Sequence, residues 1–68
     1  MPEYRWNRVD VGVWECEAIG VGIYRQGDRY MVHGGYLTGW KFTSLDAAMR
    51  LAEIAYEWSK MKQEKNDE

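Results

Sequence analysis

From Leu45 to Met61 the apolar positions recur at helical spacing, and they occupy more of the helix than one packing partner can cover. At about 100° per residue, Ala48, Met49, Leu51, Ala52, Ala55 and Tyr56 fill one face, while Ala47, Ile54, Trp58 and Met61 carry the apolar surface round to a second. Asp46, Arg50, Glu53, Glu57 and Lys60 form the polar stripe. A helix resting on one sheet buries an arc of roughly 100° or a little more. The pattern therefore predicts a second contact for Ala47, Ile54, Trp58 and Met61: another subunit, a partner, or the returning chain.

Upstream the period falls to two. Tyr4 and Trp6 alternate with Arg5 and Asn7, and Trp14, Cys16 and Ala18 alternate with Glu15 and Glu17. Alternation of this kind marks half-buried strands, predicted over residues 3–9 and 11–18 with the option of continuity across Gly12. The second places Trp14, Cys16 and Ala18 inward. Ala18-Ile19-Gly20 reads as a turn or bulge, after which extended structure resumes over 21–26, turns at Gln26-Gly27-Asp28, and continues over 29–33 until Gly34-Gly35 breaks it. Residues 36–42 are the last extended candidate, weakened at Gly39, which also offers a turn before Trp40. Thr43 or Ser44 is placed to cap the helix, with Asp46 in its first turn. The helix is predicted to end near Lys62, followed by a polar, fraying tail over 63–68. The resulting fold class is α+β: an antiparallel sheet of three to four strands with one C-terminal amphipathic helix packed on one face, in a single domain over residues 1–62.

Composition changes this picture in one respect. A chain of 68 residues is near the lower limit for folding without disulfides, metals or association, yet it carries four Trp, five Tyr and one Phe. Such a density of large rings argues for a folded domain rather than disorder. The formal net charge is −2, with five basic and five acidic residues in 1–43 and four against six in 44–68. Neither part has the clustered positive charge on which binding to a phosphate backbone rests. There is no signal-peptide pattern and no apolar stretch of membrane-spanning length, so the expectation is a soluble, cytoplasmic protein with no membrane partner.

Little catalytic chemistry is available. Cys16 is the only cysteine and His33 the only histidine; Cys16 lies in the inward row, which predicts a buried thiol, and His33 at a strand end is expected to be exposed or packed on a turn. Gly20-Val21-Gly22 has Arg25 where a dinucleotide loop needs its third glycine, and a strand follows where that loop needs a helix. His33-Gly34-Gly35 has no accompanying Gly-x-Ser-x-Gly. Glu15 and Glu17 have no further ligands at metal-binding spacing. The expectation is a protein that is not an enzyme, with no cofactor and no metal. The aromatic residues admit an alternative: Trp6, Tyr24, Tyr30 and Trp40 as base-stacking rings with Arg25 and Arg29 on phosphates. Filling a small core and an interface is the favoured use of those rings, and Trp58 with Ile54 and Met61 matches the composition of interface centres.

The segments Trp14-Glu15-Cys16-Glu17-Ala18-Ile19-Gly20, Tyr30-Met31-Val32 and Gly39-Trp40-Lys41-Phe42-Thr43-Ser44-Leu45-Asp46-Ala47-Ala48 together resemble small phage and prophage accessory proteins with a Trp-x-Ala, Gly-x-Tyr and Gly-x-Phe-x-Ser-Leu-x-x-Ala pattern. The resemblance spans residues 14–56, with Cys16 in the place of the small Ala. It implies a strand meander closed by a helix, no catalytic residues, and a class of proteins that act by binding and occluding host complexes. The expected function is accordingly a protein-interaction module, specifically a phage-encoded inhibitor of a host defence complex of the anti-CRISPR or anti-restriction type, contacting its partner or a second copy through Ile54, Trp58, Met61 and Ala47. The alternatives are a small nucleic-acid-binding accessory protein and a homodimeric structural protein.

Overall fold

A computed structural model describes residues 4–66, with side chains described to Lys62. The elements in chain order are β1 (Asn7–Asp10), β2 (Val13–Cys16), β3 (Val21–Gln26), β4 (Arg29–His33), β5 (Lys41–Phe42) and α1 (Leu45–Asn66). Each strand pairs antiparallel with the next, giving a meander in the order β1-β2-β3-β4-β5. The helix crosses one face of this sheet over β3, β4 and β5. This is the expected α+β arrangement with a fifth strand of only two residues.

Register decides which side chains meet the helix. Trp14 opposes Ile23 and Ile23 opposes Val32, Cys16 opposes Val21, and Tyr30 lies between Arg25 and Phe42. These residues share the helix side of the sheet because strand side chains alternate between faces. Cys16, Ile19, Val21, Ile23 and Val32 are buried together with Ala48 and Ala52 of the helix. The two alanines bring the helix backbone close to the sheet, and Leu45, Met49 and Tyr56 pack around them. Ile23, 0% exposed at the centre, contributes about 1.5–3 kcal/mol by burial alone.

At the helix start Ser44 is the cap: its Oγ accepts from the Ala47 N–H at 3.4 Å, and its carbonyl accepts the first helical bond from Ala48 at 3.1 Å. Asp46 pairs with Arg50 one turn on, at 3.5 Å and well exposed.

Several segments depart from the sequence reading. Tyr4, Arg5 and Trp6 precede β1 rather than belonging to it, and Val11-Gly12 forms a turn, so the first two strands are separate and shorter than 3–9 and 11–18. A register irregularity between Arg8 and Asp10 leaves Val9 as an extra, exposed residue in β1. The turn expected at Ala18-Ile19-Gly20 is present over Glu17–Gly20, but Ala18 is exposed in it rather than inward, and Ile19 enters the core in its place. Tyr36–Gly39 is a turn, not a strand. The helical backbone continues through Asn66, past the expected end at Lys62. The side chains of the tail beyond Lys62, and residues 1–3, 67 and 68 altogether, lie outside the described residues.

Candidate protein-docking face

The turn that replaces the expected strand builds one wall of an apolar depression on the described surface. Gly34 and Gly35 turn the chain out of β4 with φ of +100° and +74°. Thr38 then knots the loop: its Oγ1 accepts from the Gly34 N–H at 3.0 Å and donates to the Gly35 carbonyl at 2.8 Å. Val32 closes the loop from the strand side, accepting from Gly39 N–H and donating to the Trp40 carbonyl, each at 2.9 Å. Trp40 N–H in turn donates to the Leu37 carbonyl at 2.9 Å. These bonds hold Leu37 and Trp40 beside α1.

The opposite wall is the helix. Leu37, Trp40, Leu51, Ile54, Ala55 and Trp58 line an open groove of about 290 Å³. Its floor and walls are almost wholly apolar, and the rings around it are arranged rather than loose. Tyr36 meets Trp58 edge-on with centroids 6.0 Å apart, Trp40 stacks on Phe42 at 6.2 Å, and the Lys62 ammonium lies 5.0 Å from the centre of the Trp58 ring. Such contacts fix ring orientation without removing the rings from solvent. Trp58 remains 55% exposed, Ile54 60% and Met61 65%.

Of the residues expected at a partner interface, Ile54, Trp58 and Met61 are exposed along one side of α1 and Ala47, half-buried, continues the line toward its N-terminus. Leu51 belongs with them. The sequence reading placed it on the core face, whereas it is 41% exposed and lines the groove. With Leu51 included, Ala47, Leu51, Ile54, Trp58 and Met61 follow one another at intervals of four, three, four and three residues. That is the spacing of the a and d positions of a heptad, the seam at which one helix packs against another. The spacing was present in the sequence; what hid it was assigning Leu51 to the core. Leu37 and Tyr36 carried no such signal, because their positions depend on the loop closing at Thr38.

The six residues of the nucleic-acid alternative are not brought together. Tyr24 and Arg29 lie on the open face of the sheet, where the Tyr24 hydroxyl donates to the sulfur of its cross-strand neighbour Met31. Arg25 and Tyr30 oppose one another on the helix side, and Arg25 Nε donates back to the Gly27 carbonyl at 3.1 Å. Trp6 packs against the helix, donating to Glu53 at 2.7 Å, and Trp40 flanks the apolar groove.

A second depression, about 300 Å³ and open, lies at one end of β2, β3 and β4 between Glu15, Glu17, Gly22 and His33. Gly22 sits in register between Glu15 and His33, so the notch arises where a side chain is missing. Cys16 is buried and His33 exposed, as expected. Among the described residues no three His, Cys, Asp or Glu side chains are grouped closely enough to hold a metal ion, and no described helix is long and apolar enough to cross a membrane. No family model, no curated protein and no solved structure matches this chain.

Proposed function

We propose that this protein is a protein-interaction module that docks an apolar helix of its partner along the Ala47/Leu51/Ile54/Trp58/Met61 seam. The observation that carries this reading is the seam itself. Five consecutive heptad positions are presented on a helix already ordered by a sheet, beside a loop that adds Leu37 and Trp40 to the same apolar surface. A helix ordered in advance loses little conformational entropy on binding, so even a short seam can hold a partner. Dispersal of Trp6, Tyr24, Arg25, Arg29, Tyr30 and Trp40 over three surfaces favours a protein partner over a nucleic acid.

The finer form of the reading is an accessory protein of a mobile element that acts in the bacterial cytoplasm and blocks a host defence complex by occlusion. It rests on the resemblance over residues 14–56. The test compares wild type with Trp58→Glu for association, by sedimentation equilibrium and by retention of binding partners on an affinity column, with circular dichroism as a control for folding. The expected result is a folded mutant that has lost association. An unfolded mutant would place Trp58 in the core and overturn the reading, as would association of wild type that Trp58→Glu leaves intact. A complex with oligonucleotides that weakens steeply with salt would transfer the function to the nucleic-acid alternative.

A further inference from the structure

We infer that the occupant of the seam is a second copy of this chain, its helix antiparallel to the first about a twofold axis that passes between Ala52 and Glu53. The inference rests on the docking reading above and adds a partner and a register to it.

Volume selects the direction. A parallel pair would put Trp58 against Trp58 and Ala47 against Ala47, crowding one layer and leaving another empty. An antiparallel pair in the stated register puts Trp58 of each copy over Ala47 of the other and Leu51 against Ile54. Large meets small in the two Trp58–Ala47 layers, middling side chains meet between them, and Met61 lies beyond, opposite Ser44 of the other copy, which is how layers fill at even helix separation.

Charge selects the same register independently. Arg50 and Glu57 occupy equivalent positions flanking the seam, one heptad apart, on the side away from the loop. Flanking positions of this type face one another in an antiparallel pair, so Arg50 of each copy meets Glu57 of the other, twice by symmetry. Displacing the pair by one heptad toward the C-terminus would set Glu57 against Glu57. In the single chain Arg50 rests on Asp46, a well exposed contact at 3.5 Å that can be exchanged at little cost. Glu53 lies round the helix from the seam, where it bonds to Trp6.

Sedimentation equilibrium of the full chain, with folding of every variant checked by circular dichroism and melting midpoint, tests both arguments. Wild type is expected to dimerise and Trp58→Glu to be a folded monomer. Arg50→Glu and Glu57→Arg should each raise the dissociation constant about tenfold by bringing like charges together, and the double exchange R50E/E57R should recover wild-type affinity. Ala47→Trp, which fills the space meant for the other copy's Trp58, should prevent pairing. A dimer indifferent to all of these charges, or a double exchange weaker than either single one, overturns the antiparallel register. A wild-type monomer overturns the inference outright, while partner retention that Trp58→Glu abolishes would leave the docking reading standing.

Discussion

Trp6 and Glu53 meet across 47 positions of sequence: the indole Nε1 donates to the Glu53 carboxylate at 2.7 Å. Neither residue is fully buried, and Trp6 lies outside the sheet ladder. The bond therefore fastens the N-terminal segment to the helix, helped by the edge-on contact of Tyr4 with Tyr56 at 5.9 Å. Trp6→Phe keeps a ring and removes the donor, and should lower unfolding free energy by about 1–2 kcal/mol in urea titration. Glu53→Gln keeps a carbonyl acceptor and should lose less. Equal stability of Trp6→Phe and wild type would mean that the bond contributes nothing net.

The two hydroxyl residues before the helix are unequal. Ser44→Ala removes the side chain that accepts from Ala47 N–H and is expected to destabilise by about 1 kcal/mol. Thr43→Ala should stay within about 0.5 kcal/mol of wild type. The reverse order, measured by thermal or urea unfolding, would move the cap back by one residue.

Gly34 is held in a place where no other residue fits. A Cβ there would stand 2.5 Å from the Gly20 carbonyl oxygen, on a backbone with φ of +100°. Gly34→Ala should cost more than about 2 kcal/mol, combining backbone strain with the clash. Gly20→Ala, at φ +65° with open space around the new methyl, should cost about 1 kcal/mol. Similar losses at the two positions would show that the clash relaxes and only the dihedral matters.

Tyr36 and Trp58 form the one described ring pair that joins the groove loop to the exposed stripe of the helix. A double-mutant cycle with Tyr36→Ala and Trp58→Ala should give a coupling of about 0.5–1 kcal/mol. No coupling would leave the loop held by its hydrogen bonds and the packing of Leu37.

What could be read from the chain, and what could not, follows from the range of the interactions involved. The helix start, the surplus apolar face and the inward thiol of Cys16 depend on spacing within a few residues, and each stands where periodicity put it. The segment from Tyr36 to Gly39 departs from the extended structure expected over residues 36–42, of which only Lys41 and Phe42 pair as a strand. Its true conformation depends on Thr38 bonding to Gly34 and Gly35 and on Val32 returning to Gly39 and Trp40. Thr38 thus satisfies the backbone locally where a strand would need a neighbour. Leu51 misled for another reason: it borders both faces of the helix, and only the presence of Leu37 and Trp40 beside it draws it into the groove.

Cys16, 1% exposed at the end of β2 opposite Val21, turns the core into its own clock. An alkylating reagent can reach this thiol only after the packing over that face of the sheet has opened, so the labelling rate at saturating reagent is the rate of that opening. Whatever seals the apolar seam from outside, a second copy or another protein, would register there as slower labelling if it restrains the core, without any tag or added chromophore.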